Sequence, residues 1–152
     1  MTLSLKVLPV GVLVVAMVIA KVISLWLPLV WLPAVVAIAG ASVCLLIGLF
    51  FGLAGVKLFR HFDTTVNPVH PEQASKLVTT GVYQHSRNPM YVGLLCCLLT
   101  WAFYLQALSA FMVVPLFIGY MNQFQIKPEE AVLTRLFGQA YQDYCQRVRR
   151  WL

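Results

Sequence analysis

Apolar residues fill four long stretches of this chain, and polar residues separate them unevenly. The first stretch, 7–27, carries Lys21 as its one charge, and the second, 34–56, carries none. A polar connection over 57–85 comes next, then two more apolar stretches at 89–104 and 108–124. A helix needs about 20 apolar residues to cross the hydrocarbon core. The pattern therefore predicts an all-α polytopic membrane protein: about four transmembrane helices, then a C-terminal cytoplasmic amphipathic helix over 129–148. The whole of 1–152 reads as a single domain.

Punctuation sharpens these elements. Pro28 and Pro33 bracket a tight turn, and Trp26 and Trp31 beside it suit an interfacial aromatic belt. Gly48 and Gly52 form a GxxxG that lets helix backbones approach closely and permits a homodimer. Pro68 and Pro71 interrupt any continuous helix in the polar connection, and a connection of that length is uncommon unless it has a role. Pro89 suits the first turn of a helix, where its missing N–H costs nothing. Trp101 and Tyr104 are expected at the far interface, and Pro115 is expected to kink the fourth span. The last two spans are joined too tightly for anything but a helical hairpin. In the tail, Leu133, Phe137, Ala140, Tyr141, Tyr144 and Val148 recur on one side at helical spacing.

Composition agrees. Of 152 residues, 61% are hydrophobic and 11% charged, with a mean hydropathy of +0.82; soluble domains carry about 25% charged residues. The net charge of +6 does not indicate nucleic acid. Lys57, Arg60 and Lys76 lie between spans, and Arg147, Arg149 and Arg150 end the tail beside Trp151, where basic residues meet lipid headgroups. An even span count with this distribution places both termini in the cytoplasm, and a bacterial inner membrane is the expected location. Lys6 ahead of the first apolar run imitates a signal peptide, but the run is too long and Lys21 interrupts it. Cys44, Cys96 and Cys97 fall within spans as small core residues, and no spacing among the four cysteines suggests a metal site or a disulfide.

Chemistry can sit in two polar clusters. The first is the run Thr80-Gly81-Val82-Tyr83-Gln84-His85-Ser86-Arg87-Asn88-Pro89-Met90-Tyr91-Val92-Gly93. Arg87 offers a planar fork of donors for carboxylate or phosphate. Tyr83 and Tyr91 offer aromatic faces with polar tips, and Gly81 and Gly93 allow close backbone approach. The same residues would also serve as a headgroup anchor. The second cluster is Lys127-Pro128-Glu129-Glu130. On local grounds, proline followed by acids is helix-start chemistry; alternatively, the pair holds a cationic ligand or orients an arginine. A hairpin of the last two spans brings both clusters to one mouth.

The run Leu77-Val78-Thr79-Thr80-Gly81-Val82-Tyr83 with Ser86-Arg87-Asn88-Pro89-Met90-Tyr91-Val92-Gly93 resembles the isoprenylcysteine carboxyl methyltransferase-like family and the related phospholipid N-methyltransferases. The tail, with Glu129, Glu130, Leu133, Phe137, Gly138, Tyr141, Tyr144, Val148, Arg150 and Trp151, looks like the C-terminal signature of the same group. The resemblance runs from about Phe59 to the end of the chain; the first two spans match only in hydropathy. It implies a membrane methyltransferase that uses S-adenosylmethionine. Tyr83, Arg87, Asn88, Pro89, Tyr91, Gly93, Glu129 and Glu130 would line the cofactor pocket, with Arg87, Glu129 and Glu130 as catalytic candidates. Many relatives carry His where this chain has Asn88, so an imidazole there has no counterpart, and His85 is only a neighbour.

The chemistry is compatible. A carboxylate of the pair can take the cofactor's ammonium, Arg87 a carboxylate, and a tyrosine the adenine or the sulfonium. The acceptor can be a lipidic or small membrane-accessible carboxylate, amine or thiol. Other readings are a non-catalytic membrane scaffold or lipid-binding subunit, and a nicotinamide-dependent membrane reductase.

Overall fold

The computed structural model describes residues 7–27, 29–61 and 76–152. Lys6, Pro28, Pro68 and Pro71 lie outside the described residues, and with them the expectations placed on them. The described chain is helical, with no strand beyond one isolated bridge between Trp31 and Ala107. Its α-helices are α1 (Pro9–Trp26), α2 (Ala34–His61), α3 (Pro89–Tyr104), α4 (Val113–Tyr120) and α5 (Lys127–Arg147).

Helices α1 and α2 are long and apolar enough to cross a membrane; α3 is apolar but shorter. Their large side chains point outward: Val10, Val14, Val18 and Val22 on α1, and Val35, Ile38, Leu46 and Leu53 on α2, are exposed. Water would penalise such a surface, whereas hydrocarbon does not. Lys21 also faces outward from α1. The second helix runs past the expected end at 56, so 57–61 continues α2 instead of opening the polar connection.

The core lies where α1, α3 and α4 meet. Leu13, Ala16 and Ala20 of α1 pack with Leu98 and Ala102 of α3 and with Val113 and Phe117 of α4. Trp101, expected at the far interface, turns inward, and its indole N–H donates to the Met17 carbonyl across α1 and α3 at 3.0 Å. Tyr104 remains exposed, as do Trp26 and Trp31. Cys97 is exposed, whereas Cys96 is buried and Cys44 half-buried.

Helix α2 packs along α3 through glycine. A Cβ on Gly93 would stand 3.2 Å from the Gly48 carbonyl oxygen and 3.2 Å from the Gly52 Cα. The GxxxG is thus engaged within the chain, against α3. At the opposite end from the polar clusters, the two inter-helix turns are stitched by Leu32 N–H to Gln106 O at 2.7 Å and Leu108 N–H to Val30 O at 2.9 Å.

The last two elements are one helical rod. A 3-10 turn (Leu108–Met112) leads into α4, so Pro115 falls in the first turn of α4, where its missing N–H costs little. A π-helical segment (Met121–Ile126) then joins α4 to α5. In it the Lys127 N–H reaches back five residues to the Asn122 carbonyl. Pro128 comes next and has no N–H with which to continue the ladder. The tail helix starts at Lys127 without a break from α4, so Glu129 and Glu130 do not sit at a free helix N-terminus. Gly138, at φ 52° and ψ −126°, kinks α5.

Candidate active site

The segment before α3 is shaped locally. Gly81 has φ +59°, which glycine alone adopts cheaply, and a Cβ there would meet Leu58 at 2.7 Å. A 3-10 turn (Gly81–Gln84) begins at this glycine, and Val82 and Tyr83 bury against Phe51, Ala54 and Leu58 of α2. Asn88 is the N-cap of α3, and Pro89 occupies its first turn. The Asn88 side chain makes no cap bond; Ser86 Oγ accepts from the Asn88 N–H at 3.0 Å instead. This leaves the Asn88 amide free to reach across to the chain's last residues.

Opposite this segment stands α5. Arg87 Nη2 lies 3.2 Å from Glu130 Oε1, and Arg87 Nη1 donates to Cys145 Sγ. Arg150 grips the same carboxylate with its fork, Nε to Oε1 at 3.0 Å and Nη2 to Oε2 at 2.6 Å. The Tyr91 hydroxyl donates to Glu129 Oε1 and is hydrogen-bonded by Gln125 of the π segment. The Tyr144 hydroxyl donates to the Tyr83 carbonyl at 2.7 Å, tying α5 to the 3-10 turn.

Both polar clusters therefore converge. Tyr83, Arg87, Asn88, Tyr91, Glu129 and Glu130 come together, and Pro89 is buried in the first turn of α3 beside them. Gly93 does not join: it lies one turn further along α3, facing α2. His85 is exposed and outside the cluster. Tyr141, Tyr144 and Cys145 enter from α5. Along the sequence the two tyrosines read as helix-face residues and Cys145 carries no signal of its own. The pairing of the two clusters, and the place of both tyrosines in the tail that resembles the family's C-terminal signature, were the hints that could have located them at a site.

The electrostatics are uneven. Two guanidiniums flank the Glu130 carboxylate, and Glu130 holds Arg150 above its ordinary value by hydrogen bonding. Glu129 is different. Burial pushes its carboxyl up to about 8, helped by the nearby Glu130 charge and opposed by the Tyr91 hydroxyl. Burial likewise raises Tyr83, Tyr141 and Tyr144, which stay neutral at physiological pH. With Glu129 largely protonated near neutral pH, the cluster is cationic. Arg87 Nε is buried and has no hydrogen-bond partner among the described residues. A buried unpaired donor is costly to leave unmade, and its chemistry suits an anionic group. No group of three metal-ligating side chains is present among the described residues.

An apolar cleft of about 280 Å³ lies between α1 and α4, lined by Val12, Val15 and Ile19 on one side and by Leu116, Phe117 and Tyr120 on the other. Its Tyr120 end adjoins the π segment that leads to Glu129.

The sequence profile of the phospholipid methyltransferase family matches residues 35–140. An uncharacterized protein of Haemophilus influenzae is 48% identical over 63 residues, which is 41% of this chain and 100% of the relative. No solved structure matches the chain.

Proposed function

The chain belongs to the phospholipid methyltransferase family, and we propose that it transfers a methyl group from S-adenosylmethionine to a lipidic or small membrane-accessible acceptor at the cytoplasmic membrane face. The observation that carries this reading is the meeting of Arg87 with Glu130 and of Tyr91 with Glu129 across the α3–α5 gap.

The residues fit the cofactor's polar groups. Arg87 Nε, buried without a partner among the described residues, suits its carboxylate. Of the two acids, Glu129 suits the ammonium, because both Glu130 oxygens are already taken by arginine. Tyr83 and Tyr91 give aromatic surface, with Asn88 and Pro89 holding the start of α3. When bound, the cofactor supplies an electrophilic methyl group on a sulfonium. The protein's share is to orient the partners and exclude water. A carboxylate acceptor needs no base. An amine acceptor must lose a proton, and a carboxylate of the Glu129–Glu130 pair is the candidate base in its ionised form.

The family and the cleft between α1 and α4 favour an acceptor with a hydrocarbon part. In this reading α1, α2, α3 and the rod over 108–126 all cross the bilayer as one domain. Both termini and the cluster then lie on the cytoplasmic side of a bacterial inner membrane.

The test is calorimetric titration of the detergent-purified protein with S-adenosylhomocysteine. Saturable binding by wild type, weakened by Arg87→Ala and by Glu129→Gln with the fold intact, is the expected result. Absence of binding by well-folded wild type with lipid restored would overturn the reading.

A further inference from the structure

Residues 149–151 lie beyond the family match, yet they touch both walls of the cluster. The Arg149 carbonyl accepts from the Arg87 N–H at 2.9 Å. The Arg150 carbonyl accepts from Asn88 Nδ2 at 2.9 Å and from Ser86 Oγ at 3.4 Å. The Trp151 indole donates to Asn122 Oδ1 at 3.0 Å and packs on the core. The side chain of this segment that reaches the acids is that of Arg150.

Its geometry matters for Arg87. A guanidinium beside a carboxylate prefers the two-bond fork, the strongest arrangement the pair can make. Arg87 does not have it: it reaches Glu130 through Nη2, and its Nε has no partner among the described residues. Arg150 has the fork instead, with one bond to each Glu130 oxygen. The Arg87 and Glu130 side chains are 13% and 18% exposed, so water competes weakly for either.

We infer that Arg150 is a positioning residue that keeps Arg87 available for ligand: by occupying the Glu130 fork, it prevents Arg87 Nε from closing onto that carboxylate. The inference rests on the reading of Arg87 as the group that receives the cofactor's carboxylate. Arg150 itself need not touch the ligand. Removing it leaves Glu130 free to turn, and the Arg87 fork then closes on Glu130 within the protein. The ligand carboxylate must break that pair in order to bind.

This role has a signature that a purely structural one lacks: relief by a second loss. Arg150→Ala is expected to weaken S-adenosylhomocysteine binding at least about tenfold, the worth of one charged hydrogen bond. Adding Glu130→Gln removes the competing charge, and the double variant is expected to bind more tightly than Arg150→Ala alone. An Arg150→Ala variant that binds like wild type, or a double variant no better than Arg150→Ala, would overturn the inference. A second readout needs no ligand. The Arg87 Nε–H resonance, followed by nitrogen-15 NMR in micelles, is expected to move downfield and exchange more slowly in Arg150→Ala as the fork closes. An unmoved resonance sinks the inference. If wild type fails to bind S-adenosylhomocysteine, the cofactor reading fails, and this resonance still decides whether Arg150 controls Arg87.

Discussion

Gly93 of α3 lies against Gly48 of α2 so closely that each would push a Cβ into the other helix: at Gly48 a Cβ would stand 2.9 Å from the Cys96 Cβ, and at Gly93 it would stand 3.2 Å from the Gly48 carbonyl. The atoms met are backbone or Cβ, so no flexible side-chain end can give way. Gly93→Val is expected to lower stability by about 1–3 kcal/mol through overpacking, read as a lower thermal midpoint in detergent. Gly52→Val is the softer comparison, because a Cβ at Gly52 meets nothing within 4 Å.

Glu129 predicts a pH dependence of stability. Its carboxyl is raised from 4.5 to about 8 by burial, so the folded state keeps a proton that the unfolded chain releases. Stability then falls as pH rises through that window, because the unfolded state binds fewer protons. The contribution is full below about 4.5 and is lost once pH passes about 8. Glu129→Gln is expected to flatten this slope in chemical or thermal melts taken across the window. Equal slopes for the two proteins would refute the assignment.

The same group predicts proton release on ligand binding. A cation placed beside Glu129 favours its ionised form, so an ammonium-bearing ligand drives the proton off. Calorimetry of S-adenosylhomocysteine near neutral pH, repeated in buffers of different ionisation enthalpy, is expected to show net release in wild type and none in Glu129→Gln.

Tyr144→Phe tests the tie between α5 and the 3-10 turn. The lost hydroxyl leaves the Tyr83 carbonyl without its 2.7 Å donor, a penalty of about 1–3 kcal/mol for a buried group. Both a lower melting midpoint and weaker ligand binding are expected, since the turn carries the chain into Arg87.

Gly119 and Gly138 form a natural control pair. A Cβ at either meets nothing within 4 Å, but of the two only Gly138 has positive φ. Gly138→Ala is therefore expected to destabilise by about 1–3 kcal/mol through backbone strain. Gly119→Ala, within regular helix, is expected to stabilise by roughly 0.5–1 kcal/mol. Loss of stability in both would mean that contacts and not φ decide.

Much of this arrangement was legible in the sequence, because hydropathy and proline placement report directly on helices. Pro89 begins a helix, as its place in the sequence predicts, and the two polar clusters do converge. Other features were hidden by the limits of local pattern. The Gly48–Gly52 motif encodes close approach but not the partner, which is Gly93 in the same chain. Glu129 and Glu130 after Pro128 look like a helix start, and only the π segment upstream shows that the helix has already begun. Arg150 reads as a headgroup contact, because nothing local reveals that the tail folds back over Asn88. Long-range closure depends on three-dimensional path, which spacing along the chain does not carry.

The π segment also sets the rotational phase of α5. Each residue advances an α-helix by about 100°, and the wide turn at Met121–Ile126 accommodates one residue more than regular winding would. Were that segment one residue shorter, α5 could wind on regularly and lose nothing in helix content, while Glu129 and Glu130 would rotate away from Tyr91 and Arg87. The alignment of the two acids is thus a clock setting held by six residues upstream. Changes in their number would silence the site more completely than most changes in their identity.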